Sequence, residues 1–313
     1  MTKVKGFTAN FGNISVCAII TKKTELEIFI MDLRDLRLRP EEKAALNLRK
    51  LYETRGYSFY RMSRFEEYDF YADKKDFLTS QNILTFTDIN GKLMALRPDV
   101  TLSIIKHIKN SEDIQKFYYD EKVYRVPKNA NSFREISQAG VECVGNLNEE
   151  NLSEVLELAV LSLRKIAENK RCVLDVSHAG LIADLIKNNK NRHEILKCIA
   201  EKNIHELKKL NASEKIINLV GAEEKEKSEN ALRLFDLKSS EIIASLKKNY
   251  PEIRIDFSVI NNLNYYNGIV FRGFIEGIPE SILSGGQYDG LMSMMGHEKS
   301  KAVGFAVYLD LID

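Results

Sequence analysis

A chain of 313 residues with 44% hydrophobic content can bury one large core and a smaller satellite, because single cores stop growing at about this length. Its 46 basic and 45 acidic side chains leave a formal charge of +1, which supplies no general field for a polyanion such as tRNA or DNA and leaves only a local basic patch open. The four cysteines, Cys17, Cys143, Cys172 and Cys198, have no C-x-x-C spacing, so neither a zinc site nor a disulfide framework is expected, and the chain reads as a cytoplasmic protein without metal.

The first predicted element is ISVCAII (14–20), an apolar run after Lys3 and Lys5. It is far short of the roughly 20 apolar residues of a membrane span. It lacks a small-x-small cleavage site and is followed by Lys22 and Lys23, against a signal peptide. One reading of this N-terminal extension (1–30) is a strand or two, ISVCAII and LEIFIM; the other is a true start at Met31. Pro40 then occupies a first helical position, EEKAALNLRKLYETR carries Ala45, Leu48, Leu51 and Tyr52 on one face, and Gly56 stands where a C-terminal cap belongs. Residues 57–70 read as an aromatic-rich strand running into a helical turn. NILTFTDINGKLMALRPDV reads as strand, turn, strand around Asn90-Gly91, and TLSIIKHIKN as a helix.

Residues 115–126 and 134–145 are β-rich runs joined by PKNANSF, which predicts a long antiparallel hairpin with a polar tip. NLSEVLELAVLSLRKIAENK has Val155, Leu158, Leu161 and Ile166 at helical spacing and gives way to the strand CVLDVS. From about 180 to 248 the chain is rich in Lys and Glu and carries no strand signal, so several short helices are expected there. The β signal returns after Pro251 in RIDFSVI, YYNGIVFRGFI and ESILSGG, and AVGFAVYLDLID closes the chain. Strands on both sides of a helical block predict an α+β fold: an antiparallel sheet flanked by helices, its core divided between 31–180 and 249–313, with a helical insertion at 181–248.

Four segments point to a function: LRPDVT (96–101), YRVP with FREISQAGVE (124–142), NNLNYYNGIVF (261–271), and SGGQYDGLM with AVGFAVYLDL (284–311). In this order and spacing they resemble the catalytic core of histidyl-tRNA synthetase, a class II aminoacyl-tRNA synthetase, over residues 32–313. Singly, each is more often an ordinary strand or core residue; as an ordered set they carry the resemblance. The resemblance implies a pocket for free histidine, with Asp99, Thr101 and Gln138 at the α-ammonium and Glu142 facing an imidazole N–H. Tyr265 and Tyr266 would line the ring, and Arg125 survives in the same set. Such a pocket rejects apolar isosteres, because its own buried polar groups would be left unpaired.

The sequence departs from the enzyme where adenylation needs cations. The synthetase's R-G-L-D-Y-Y motif is here Asn261-Asn262-Leu263-Asn264-Tyr265-Tyr266, so the guanidinium is gone and the carboxylate has become an amide. The last class II motif ends in Leu311 instead of arginine, with Tyr308 at a glycine position. Pro127 replaces an acidic residue, Ser132 a loop arginine, and Ser63 the first motif's proline; Arg125 and Arg134 remain. Two residues follow Leu311, where a synthetase continues into an anticodon-binding domain. This combination resembles the family of ATP phosphoribosyltransferase regulatory subunits. The resemblance implies a subunit without catalytic residues or cofactor that dimerises and joins the short-form catalytic subunit. It would transmit histidine feedback in the first step of histidine biosynthesis and touch neither nucleic acid nor membrane. The rivals are a divergent histidyl-tRNA synthetase, another class II adenylate-forming enzyme, and a scaffold that binds no histidine.

Overall fold

The computed structural model describes residues 6–11, 14–19, 37–74, 78, 82–108, 113–127, 131–223, 226, 237–260 and 265–312. The chain separates into two units, Met1–Arg39 and Pro40–Asp313. In the first, β1 (Gly6–Phe11) and β2 (Ile14–Ile19) pair antiparallel, from Gly6↔Ile19 to Phe11↔Ile14. The LEIFIM segment lies outside the described residues.

The second unit opens with α1 (Pro40–Thr54), which starts at the proline and places Glu41 and Glu42 at the positive end of its dipole. It buries Ala44, Leu48 and Tyr52, and Gly56, at φ +80°, turns the chain out of it. Next come β3 (Ser58–Phe59), β4 (Phe65–Glu67), α2 (Tyr68–Ala72), β5 (Thr85–Thr87) and β6 (Leu93–Leu96). β4, β6 and β5 make a small antiparallel sheet, and Gly91, at φ +80°, sits in the turn where Asp88 accepts from Asn90 and Lys92 amides. α3 (Val100–His107) leads to the predicted hairpin, β7 (Gln115–Arg125) against β8 (Arg134–Gly145).

α4 (Glu149–Ala167) is started by a reciprocal Asn148–Asn151 cap and followed by β9 (Cys172–His178). Among the described residues the helices α5 (Ala179–Ile186), α6 (Arg192–Ala200), α7 (Ile204–Lys209), α8 (Glu214–Gly221) and α9 (Leu237–Asn249) follow. Then come β10 (Ile253–Ile255), β11 (Ile269–Ile275), β12 (Leu283–Gln287), α10 (Asp289–Met294) and β13 (Lys301–Tyr308), with a 3-10 turn at Leu309–Leu311.

The main sheet runs β10-β9-β11-β12-β13-β8-β7-β3. Its six central strands are antiparallel, as the sequence predicts, but the edge pairs β10-β9 and β3-β7 are parallel. Both edge strands reach their partners through long crossovers, the geometry parallel neighbours require. Alternation along the strands divides the sheet's two faces. Ala139, Val141, Cys143, Phe271, Phe305 and Val307 join the main core with Leu48 and Tyr52 of α1 and Leu156 and Leu163 of α4. Ile195, Leu207, Leu219 and Ile243 of the helical block belong to the same cluster, so that block packs onto the sheet's core. Within it the Tyr52 hydroxyl meets Ser162 Oγ at 3.1 Å, while Ser162 also donates to the Leu158 carbonyl. Tyr52→Phe is therefore expected to cost only about 0.5–1.5 kcal/mol, read from urea unfolding, since Ser162 keeps a partner.

Candidate functional site

Gln138, Gly140 and Glu142 alternate with the core residues of β8 and so occupy the opposite face of the sheet. Register places Gly304 of β13 beside Glu142, Gly286 of β12 beside Gly304, and Val270 of β11 beside Gly286. The next row is Gly140, Ala306, Ser284 and Arg272. Small residues therefore floor the region between strands, and the glycines are required: a Cβ on Gly304 would stand 1.8 Å from Glu142 Oε2, and one on Gly286 2.7 Å from the Tyr266 ring.

Over this floor α3 delivers its first turn. Asp99 is the N-cap, accepting from the Leu102 amide at 2.9 Å, which fixes Thr101 one residue into the helix. The Thr101 hydroxyl donates to Glu142 Oε1 at 2.6 Å, and the Tyr288 hydroxyl donates to Glu142 Oε2. Glu142 is 2% exposed, and burial raises its pKa from 4.5 to about 8 despite both hydroxyl donors; nearby Asp99 adds to the rise. Burial likewise raises Asp99, opposed by the Leu102 amide, Arg125 and Arg97. Arg97 is fully buried and donates to the Ser63 and Lys122 carbonyls and to Glu121, so it is tied to the β7 side.

Tyr265 and Tyr266 meet at 4.7 Å between ring centres, and Tyr265 stands 5.7 Å from Tyr288. The chain after them is pinned to the end of β12: the Asn267 amide donates to the Gln287 carbonyl, the Ile269 amide to Gln287 Oε1, and the Asp289 amide to Asn267 Oδ1. Burial pushes all three phenols well above their ordinary pKa. Gln138 is buried opposite Tyr308, whose hydroxyl crosses from β13 to β12 and meets Ser284 Oγ at 3.1 Å. Arg125 ends β7, buried, within electrostatic range of Asp99 and Tyr266.

The structure thus gathers Asp99, Thr101, Glu142, Tyr265 and Tyr266 around one patch, with Gln138 and Arg125 toward its hairpin end. Thr101 stands on Glu142, so its hydroxyl orients that carboxyl as well as facing the patch. Residues Asn261 to Asn264 lie outside the described ones. Sequence reasoning missed Tyr288, although it lies inside SGGQYDG; its distinguishing feature is a bond to a residue 146 positions away. Two cavities, about 330 Å³ beside Tyr60, Glu66 and His107 and about 400 Å³ beside Asn148, His178 and Lys301, are lined by none of the seven predicted residues. Among the described residues no group of three or more His, Cys, Asp or Glu is placed to hold a metal, and no helix is long and apolar enough to cross a membrane. Chemically, the buried carboxyl of Glu142 and the half-buried one of Asp99, ringed by phenols, suit a ligand carrying ammonium and N–H donors.

Comparison with known proteins gives a consistent picture. A family model described as histidyl-tRNA synthetase matches residues 30–312. The ATP phosphoribosyltransferase regulatory subunit of Thermoanaerobacter sp. (strain X514) is 32% identical over 259 residues, 73% of this chain and 67% of that protein. The subunit of the same description from Caldanaerobacter subterraneus is 29% identical over 293 residues, 84% of this chain and 75% of that one. Among solved structures, an ATP phosphoribosyltransferase regulatory subunit/histidyl-tRNA synthetase from Bacillus halodurans superposes with a TM-score of 0.74 at 22% identity, covering 87% of this chain and 78% of that one. An ATP phosphoribosyl transferase complex from Thermotoga maritima contains a chain matching at TM-score 0.68 and 20% identity, covering 86% of this chain and 97% of that one. At such identities these two likenesses establish the fold, a class II synthetase-like α+β architecture.

Proposed function

Because the chain belongs to the histidyl-tRNA synthetase family, and within it to the ATP phosphoribosyltransferase regulatory subunits, we propose that it is a non-catalytic subunit that senses free histidine for a separate phosphoribosyltransferase chain. The partner is the short-form catalytic subunit, and the pair, with this chain self-associated as a dimer, performs the first step of histidine biosynthesis under histidine feedback. Asp99, Thr101, Arg125, Gln138, Glu142, Tyr265 and Tyr266 form the histidine site on this reading, joined by Tyr288 through Glu142.

The observation that carries the non-catalytic half lies at the end of β13. Leu311 packs against the main apolar core where the enzymes of this family carry an arginine, and Tyr308 lies across the floor to Ser284. Charge development on a transferred phosphoryl group needs cations held in place, and removing one such donor typically costs about 10²- to 10³-fold in rate. Histidine then acts by linkage: it shifts the assembly toward whichever quaternary state binds it better, and the catalytic subunit changes histidine affinity by the same factor.

The test mixes this chain with a short-form catalytic subunit and follows phosphoribosyl transfer. The expected result is little activity from the catalytic subunit alone, rescue by this chain, and inhibition of the pair by histidine. Steady histidine-dependent exchange of pyrophosphate into ATP by this chain alone would establish the rival synthetase reading instead.

A further inference from the structure

We infer that Gln287 is a positioning residue of the histidine site: without touching the ligand, it sets the spacing between the Tyr265-Tyr266 wall and the Tyr288-Glu142 acceptor, and so the pocket's preference for an imidazole over an apolar ring. The inference rests on the histidine-site reading above and adds to it a residue, a role and a selectivity.

Gln287 ends β12, one residue before Tyr288. Its register partner on β13 is Val303, a member of the main core, so its side chain leaves the strand on the face away from Glu142 and Gly304. A residue so placed acts on a ligand only through others. The ladder between β12 and β11 runs to Val270↔Gly286 and then changes. The Gln287 carbonyl accepts from the Asn267 amide at 3.1 Å, and the Ile269 amide donates to Gln287 Oε1 at 2.8 Å. A backbone amide only donates, so the oxygen of the carboxamide must face Ile269. Removing that oxygen takes the acceptor from an amide on a fully buried residue. Asn267 completes the join, since its Oδ1 accepts from the Asp289 amide at 3.1 Å. Tyr288 is thus bracketed by two residues, Gln287 and Asp289, that are both tied to the chain just leaving Tyr266.

Two walls of one pocket are joined here. Tyr265 and Tyr266 stand on the segment that these bonds hold, while Tyr288 donates to Glu142 Oε2, on the carboxyl that faces the imidazole N–H on this reading. Tyr265 lies 5.7 Å from Tyr288 across the join. A hydrogen bond weakens steeply with distance and angle, whereas apolar burial is non-directional. A loosened wall therefore costs the imidazole contact more than it costs burial of a ring. Gly268 shows how closely the join is fitted: a Cβ there would stand 2.2 Å from Gln287 Oε1 and 2.7 Å from its carboxamide carbon.

β-(2-Thienyl)alanine keeps a five-membered aromatic ring and the amino-acid head of histidine and lacks the ring N–H, so the ratio of the two affinities isolates the imidazole contact. With the full-length chain, histidine is titrated by calorimetry and thienylalanine by competition against it. Gln287→Met, which keeps the length and removes the acceptor, is expected to weaken histidine by about 10-fold, the worth of one charge-assisted hydrogen bond, and thienylalanine by less than about 2-fold. Gln287→Glu returns an oxygen acceptor to Ile269 and should restore most of the histidine affinity. Gly268→Ala leaves Gln287 in the chain and crowds its carboxamide off the Ile269 amide, so it should reproduce the Met variant. Because the atoms it meets first are the end of a flexible side chain, it carries the test if the Met variant does not fold. Urea unfolding midpoints are read for all three, so that affinities are compared between folded chains. No preference for histidine in the wild type, unchanged histidine affinity in Gln287→Met or Gly268→Ala, equal weakening of both ligands, or failure of Gln287→Glu to rescue overturns the role of Gln287 and leaves the histidine site intact. A wild type that binds no histidine overturns the site itself, and this role with it.

Discussion

Glu142→Gln is expected to weaken histidine binding by about 100-fold or more near neutral pH, because truncating one side of a buried, hydrogen-bonded charge contact costs about 2–5 kcal/mol. The carboxyl is placed by two donors from distant parts of the chain, Thr101 and Tyr288, and it is the buried acceptor facing the tyrosine ring pair. The amide keeps the shape and can still bond both hydroxyls, so loss of binding would report on charge and proton, not on packing.

The pH dependence follows from the same group. Burial places the Glu142 pKa at about 8 against 4.5 for the free side chain, so the carboxyl is protonated in the empty site at pH 7. A free imidazole titrates near about 6.5. Between these two values site and ligand together hold one proton, and the complex, which shares one proton between carboxyl and ring, forms without exchanging any. Below that window the ring must lose a proton, and above it the site must gain one, so affinity is expected to be flat between them and to fall on either side. Glu142→Gln should abolish the alkaline limb and keep the acidic one. For the ligand-free fold the sign is that of a raised pKa: the contribution of protonated Glu142 is full below about 4.5 and is lost as pH rises through about 8. Calorimetry in two buffers of different ionisation enthalpy reads the proton count directly, and an unchanged affinity in Glu142→Gln would mark a scaffold that does not use this pocket.

Gly304→Ala is the second large effect. Its Cβ would meet Glu142 Oε2 at 1.8 Å and the Val141 carbonyl at 2.5 Å. The carboxyl could swing aside only by leaving Thr101 and Tyr288, and the carbonyl belongs to the ladder between β13 and β8 and cannot yield. The expected outcome is destabilisation at or above the upper end of the roughly 1–3 kcal/mol range for overpacking, read from urea unfolding, together with loss of histidine binding. Gly290→Ala is the control: nothing lies within 4 Å of its Cβ, and it sits in α10, where alanine favours the helix. Equal stability of the two variants would mean that the floor has more room than the register allows.

Much of this molecule is legible from residues alone. Apolar spacing and punctuation by Pro40, Gly56 and Asn90-Gly91 mark α1 and the small hairpin, and alternation marks β7 and β8. The ordered segments around Asp99, Glu142 and Tyr265-Tyr266 point to one site because local chemistry and order in the chain are both written in the sequence. The parallel edges are not legible, since the direction in which β3 and β10 join depends on partners far along the chain. Nor is Tyr288, whose role exists only because β12 ends where its hydroxyl reaches a strand formed much earlier. Arg272 reads in sequence as one more polar residue of a strand; register with Ser284 and Ala306 puts it on the floor of the site. Sequence determines which faces are apolar and which chemistries are available, because those are properties of neighbours along the chain. The fold decides which of those groups share a desolvated space, because burial and coupling depend on distances that only the packed sheet sets.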